Sequence, residues 1–118
     1  MLGSTITLSV NAVNKVLARI NDSEPFSSTY FLEDGVDDHT LTIKHTVPAT
    51  RGASKESHLV RYDVVTYDAA GAVLRKQSTW TVLEASIGKQ DSTTLGYYTQ
   101  ALATWVGTNK ALILARDS

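Results

Sequence analysis

HTLTIKHTV (residues 39–47), SHLVRYDVVTY (57–67) and VLRKQSTWTV (73–82) decide how this chain is read. Each alternates apolar side chains with hydroxyl or basic ones, at the two-residue period of a β-strand. In the first, Leu41, Ile43 and Val47 share one face, and Thr40, Thr42, Lys44 and Thr46 share the other. In the second, Val60, Tyr62 and Val64 oppose Ser57, Arg61 and Asp63. The third reads either way, because Lys76 and Ser78 fall on the same side as Leu74, Trp80 and Val82. Burying an indole and a valine outweighs two polar residues near the start of a strand. Trp80 and Val82 are therefore expected inside, with Arg75, Gln77, Thr79 and Thr81 outside.

A solvated face ordinarily mixes Lys with Glu. Here Lys44, Arg61 and Arg75 stand among threonines with Asp63 alone in opposition. Cations and hydroxyls on one open face suit an anionic, hydrogen-bonding partner, with RNA the leading candidate. An antiparallel sheet with one face in water yields the same alternation without any ligand, so both readings stand at this point.

The 118 residues suit one domain, and a hydrophobic content of 42% suffices for a core. The formal charge of −1 hides a local asymmetry. Glu33, Asp34, Asp37 and Asp38 cluster just ahead of a segment holding Lys44, Arg51, Lys55 and Arg61 against Glu56. There is no cysteine, which excludes disulfides, thiolate metal sites and a cysteine nucleophile. MLGSTITLSV has no basic start followed by a long apolar run, so no secretory signal is expected. No apolar run approaches the ~18 residues of a membrane span. A reducing cytoplasm is the expected setting.

Outside the three deciding strands, Thr5–Val10 and Lys15–Ile20 read as a hairpin about Asn11–Asn14, with Ile6, Leu8 and Val10 aligned, and Val16, Ala18 and Ile20 aligned. A break at 22–25 precedes a short strand at 29–33. EDGVDD (33–38) is an acidic turn, PATRGAS (48–54) a longer loop, and 67–71 a tight connection. A helix is expected from an N-cap at Asp91 or Ser92 to about Val106, stopped by Gly107, with KALILA forming a second short helix after a bend. Leu95, Tyr98, Leu102, Trp105 and Val106 make one apolar stripe along it. Gly96 within that stripe costs about 1 kcal/mol relative to alanine.

Six strands make a sheet roughly 29 Å wide, whereas one helix covers a strip of about 10–12 Å. Either the sheet curls on itself or a second copy completes the cover. Exposed apolar area on that scale marks an obligate interface. A homodimer is expected, with Trp80, Tyr98, Leu102 and Trp105 contributing.

This order of elements resembles the coat proteins of single-stranded RNA bacteriophages. DHTLTIKHTVP, SKESHLVRYDVV and DSTTLGYYTQALATW carry the resemblance, which extends over essentially the whole chain. It implies an α+β fold with an N-terminal β-hairpin, an antiparallel sheet over about 5–83 and two C-terminal helices over about 92–116. It further implies an interlocked homodimer with one continuous sheet, an icosahedral shell, and single-stranded genomic RNA packaged on the inner face. A dimer gripping an RNA hairpin to repress translation belongs to the same picture, as does a virion assembled in a bacterial cytoplasm. Carried over by strand position, the RNA-facing residues are Thr42, Lys44, Thr46, Arg61, Asp63, Arg75, Gln77 and Thr79. Two departures stand out. The family's long loop between its last two strands is here the short 67–71 connection, and Arg75 takes the position expected of a base-stacking aromatic.

Catalysis is not expected. His39, His45 and His58 form no HxH or HExxH pattern, and His39 and His45 on one strand stand about 20 Å apart. No nucleophile elbow and no glycine-rich phosphate loop is present. No cofactor and no metal is expected. Two other classes fit the same residues: a dimeric RNA-binding module that forms no shell, and a protein-binding β-domain whose polar face is merely wet.

Overall fold

In the computed structural model, described over residues 3–21, 26–46 and 55–116, six strands form a simple antiparallel meander. They are β1 (Thr5–Val10), β2 (Val13–Asn21), β3 (Ser27–Asp34), β4 (Asp37–Thr46), β5 (Lys55–Tyr67) and β6 (Val73–Ser86), each paired with its neighbour in sequence. One helix, α1 (Ser92–Leu114), follows. The strands belong to a compact unit ending at Ile87, and α1 to a second unit from Gly88. Residues 22–25, Val47 and the 48–54 loop with Arg51 lie outside the described residues.

The turns follow from residue chemistry. Asn11 and Ala12 both take positive φ, at 51° and 63°, between the paired Val10 and Val13. This is the signature of a two-residue type I′ hairpin, whose twist matches that of the strands. Gly35, at φ 60°, takes the first central position between Asp34 and Asp37, as a type II′ turn requires. The β5–β6 connection is held by the Asp68 carboxylate, which accepts from the N–H groups of Ala70 and Ala72. Gly71 supplies the left-handed residue there.

One face of the sheet holds the core. Leu17, Tyr30, Leu41 and Ile43 are buried, with Ile6, Leu8, Leu32, Val60 and Tyr62 packed against them. Tyr30 has no exposed surface, and its hydroxyl donates to the Gly3 carbonyl at 2.7 Å. The sheet curls: Val10 and Lys15 at one end of the strand order line the same cavity as Arg75 and Thr79 at the other. Val16, Ala18 and Ile20 are aligned as expected, but on the outer face, and Leu17 is the buried residue of β2.

Two expectations need correction. The first concerns the helices. A single helix of 23 residues runs through Gly107 where two were expected. A glycine costs only about 1 kcal/mol in a helix interior, and no proline is present to break the ladder. Polar side chains also satisfy carbonyls around that point. The Thr108 hydroxyl donates to Thr104 O, Asn109 Nδ2 to Trp105 O, and Lys110 Nζ to Gly107 O. The N-cap is Asp91, whose carboxylate accepts from the Thr94 hydroxyl and N–H and is thereby held below the usual carboxylate range. No helix residue is buried, and Tyr98, Leu102 and Trp105 are each more than half exposed.

The second concerns Trp80. It lies 57% exposed on the face opposite the core, because β6 is shifted by one residue from the expected register. Tyr67 pairs with Val73, yet Thr66 pairs with Arg75, so Leu74 is an extra residue in a β-bulge. One added residue sends every later side chain of the strand to the other face. Val82 moves with Trp80 and is 49% exposed.

Ala12 bears the strain of the first hairpin, since a left-handed conformation costs a Cβ-bearing residue about 1–2 kcal/mol. Ala12→Gly is expected to raise stability by about 0.5–1 kcal/mol after glycine's larger entropic loss is set against that strain. A higher urea midpoint at unchanged slope measures it.

Candidate nucleic-acid face

The register places the polar residues row by row. Thr42 of β4, Arg61 of β5 and Trp80 of β6 stand directly opposite one another, and Thr40, Asp63 and Ser78 form the next row. Lys44 pairs with Leu59 and Thr46 with Ser57 on the same side. Lys76, opposite Val65, joins this face as well. Lys44, Thr46, Arg61, Lys76 and Trp80 are exposed, and Thr42 and Asp63 are half-buried.

Arg61 organises the centre. Its guanidinium carbon sits 5.0 Å from the Trp80 ring centroid, within cation–π range. Its Nε donates to both carboxylate oxygens of Asp63, at 3.0 and 3.1 Å. The Ser78 hydroxyl also donates to Asp63. Partial burial pushes the Asp63 carboxyl up, but the Ser78 hydrogen bond and the Arg61 guanidinium outweigh it and hold the group below the usual range. Asp63 thus stays ionised at neutral pH and fixes the direction of Arg61. The indole is left beside a cation on an open sheet, an arrangement on which an unstacked base can lie.

Of the eight residues expected to meet RNA, the structure brings Thr42, Lys44, Thr46, Arg61 and Asp63 onto one face. Arg75, Gln77 and Thr79 lie on the other, opposite Thr66, Val64 and Tyr62, because of the bulge that turns Trp80 outward. Two residues of this face, Lys76 and Trp80, were missed. The signal for them was the pairing of an arginine with a tryptophan, favoured across adjacent strands.

Arg75, Gln77 and Thr79 instead border a cavity of about 400 Å³ with Lys15, His39 and Tyr62. Lys15 donates to Asp34, which raises the lysine's pKa and lowers the carboxyl's. The Tyr62 hydroxyl and His39 Nδ1 are hydrogen-bonded at 2.5 Å, and burial pushes the Tyr62 phenol up, so it stays protonated. The Thr66 hydroxyl donates to Asp37. These bonds tie β2 to β3 and β4 to β5 on the core side. Among the described residues, no three histidine or acidic side chains converge on a common point where a metal ion would be held.

Two solved structures share this six-stranded meander and helix as a fold. The virus-like particle of Beihai levi-like virus 21 superposes with a TM-score of 0.73 at 10% identity, over 98% of this chain and 94% of that one. The virus-like particle of bacteriophage AVE019 matches with a TM-score of 0.51 at 17% identity, over 91% and 88% of the two chains. Residues 3–86 match the family model described as "Phage phiCb5, coat protein", and the chain belongs to that family. No curated protein sequence matches it. No described helix is long and apolar enough to cross a membrane.

Asp63→Asn is expected to release Arg61 from its intramolecular partner and to remove a negative charge from the face. If RNA binds there, affinity rises and the plot of log affinity against log salt steepens by about 0.7 per freed cation. The same change removes a pH dependence of stability. A carboxylate with a lowered folded pKa stabilises the fold above its unfolded value, near 3.9, and loses that contribution as pH falls through the folded value. Urea midpoints of wild type and Asp63→Asn are therefore expected to start drawing together below about pH 4 and to converge only once pH has fallen through the folded value.

Proposed function

We propose that this coat protein pairs with a second copy of itself, assembles into a closed shell and packages single-stranded RNA against the face of Thr42, Lys44, Thr46, Arg61, Lys76 and Trp80. The observation that carries the reading is the Thr42–Arg61–Trp80 row. It offers a hydroxyl, a cation and an aromatic ring across three adjacent strands, the set that meets a ribose or phosphate oxygen, a phosphate and a base. Lys44 and Lys76 flank it and track the backbone. In a dimer the set is doubled, and the same surface would grip an RNA hairpin when the dimer represses translation. Assembly in the bacterial cytoplasm, with the protein ending in the virion, accords with a chain that carries no cysteine.

Pairing is supported by the apolar surface of α1. The stripe of Leu95, Tyr98, Leu102, Trp105 and Val106 continues to Leu112 and Ile113 in the unbroken helix, and most of it is exposed. Water-exposed tyrosine, leucine and tryptophan at this density mark an interface. Trp105→Ala is expected to cost about 3–5 kcal/mol, the usual effect of truncating a large aromatic that is buried in the assembled state. Because folding and association are coupled, the loss appears as absent dimer in size-exclusion chromatography and absent particles in electron micrographs. A wild-type protein that stays a folded monomer at micromolar concentration sinks this reading.

The two sheet faces give opposite expectations for RNA. A dimer with Lys44, Arg61 and Lys76 on each chain presents six cations, for a salt slope on the order of −4 at about −0.7 per phosphate. Lys44→Ala flattens that slope by about 1.4 per dimer and lowers the 260/280 nm absorbance ratio of purified particles. Arg75→Ala, on the core side, leaves both unchanged. The reverse result places the RNA on the wrong face, and a slope insensitive to either change means the sheet is merely solvated.

A further inference from the structure

His45 and His58 lie directly opposite each other on β4 and β5, on the core side of the sheet near its open end. Their Nδ1 atoms are 2.8 Å apart, and the rings meet edge to face with centroids 5.1 Å apart. At that separation one proton lies between two nitrogens, so one imidazole donates and the other accepts. The far nitrogen of His58, Nε2, faces the Glu56 carboxylate at 3.5 Å. Glu56, two residues away on the same strand face, is thus in position to hold the Nε2 proton and leave the Nδ1 lone pair of His58 pointing at His45. Neither the coat-protein role nor the RNA face uses these three side chains.

We propose that His45 and His58 form a two-imidazole chelate for a divalent transition-metal ion, with Glu56 as the outer carboxylate that orients His58. The ion takes the place of the shared proton. Metal–nitrogen bonds of about 2.0–2.1 Å put two ligands about 2.9 Å apart at a right angle and about 3.3 Å apart at the tetrahedral angle. The observed 2.8 Å is set by the shared proton, and a small rotation of the exposed rings reaches either separation, so preference among transition-metal ions rests on intrinsic affinity. Imidazole pairs favour Cu²⁺ over Ni²⁺ and Zn²⁺ on that scale. Ca²⁺ and Mg²⁺ seek oxygen ligands and gain nothing from the pair. Water completes the coordination, since the pair stands at the protein surface and no third histidine or carboxylate converges on it among the described residues.

Among the described residues, Glu56 is the acidic group within ion-pair distance of the pair. Across β5 and β6, His58 and Glu56 stand opposite Leu83 and Ala85, which cannot titrate. Ligation requires both imidazoles to be deprotonated at the coordinating nitrogen, so binding weakens as pH falls.

The test is titration of CuCl₂ and NiCl₂ into the purified protein at neutral pH, read by calorimetry and, for copper, by electron paramagnetic resonance. The expected spectrum shows coupling to two equivalent nitrogens, with Cu²⁺ binding more tightly than Ni²⁺ and CaCl₂ giving no heat. His45→Gln and His58→Gln each reduce the coupling to one nitrogen or abolish it, while far-ultraviolet circular dichroism shows the strands intact. Glu56→Gln keeps both nitrogens but weakens affinity about 10-fold or more, as removal of an outer carboxylate does. Copper binding of equal affinity and spectrum in both histidine variants overturns the proposal, and an unchanged affinity in Glu56→Gln overturns the role given to Glu56.

Discussion

The single extra residue at the start of β6 governs what the sheet can do. By looping out Leu74 between Tyr67 and Thr66, the bulge pairs Arg61 with Trp80 instead of Thr79. Without it, Trp80 would enter the concave side and Arg75 would join Arg61 outside. With it, the open face gains an aromatic ring at its centre and keeps its cationic character, because Lys76 takes the place of Arg75. The cost is an exposed tryptophan, and the nearby guanidinium recovers part of it through a cation–π contact. Asp63 then locks that guanidinium in place from the neighbouring row.

The core is small for a chain of this length. Four hydrophobic side chains are buried among the described residues, all in β2, β3 and β4. The long strands β5 and β6 hold their apolar residues half-buried or exposed, and α1 buries none. At roughly 25 cal/mol per Å² of apolar area removed from water, so little burial is poor compensation for the conformational entropy of the ordered residues. In the proposed dimer, association supplies the missing burial, and folding and assembly are then expected to be one process.

Much of this was legible in the residues. Period-two alternation located β4 and β5 and assigned the faces of Leu41 and Ile43 and of Val60, Tyr62 and Val64 correctly, although Leu59 and Val65 break the pattern on the outer side of β5. Asp91 announced its own cap through the hydroxyl and N–H of Thr94 three residues on. Failures came where a local rule met a tertiary one. Gly107 looks like a helix stop, but a glycine costs only about 1 kcal/mol in a helix interior and no proline follows, so the helix runs on to Leu114. The parity of β6 could not be read from alternation, since VLRKQSTWTV places polar residues on both sides and a bulge leaves no composition signal. His45 and His58 are thirteen positions apart, and only the β4–β5 register brings them together.

The same register explains why the two faces of one sheet can carry unrelated chemistry. Alternation forces neighbours in sequence onto opposite sides, so Lys44 and His45, or Arg61 and Tyr62, never compete for one partner. On the outer side Lys44 and Lys76 are exposed cations that can exchange water for phosphate, whereas Arg61 is already held by Asp63. On the inner side the polar groups are tied to one another, Lys15 to Asp34, Thr66 to Asp37 and His39 to Tyr62. A group already satisfied in a partly buried setting gains little from a new ligand, whereas an exposed cation on a rigid strand loses little entropy in meeting one. The exposed Lys44 and Lys76 therefore suit the proposed nucleic-acid contact better than the paired groups of the inner side.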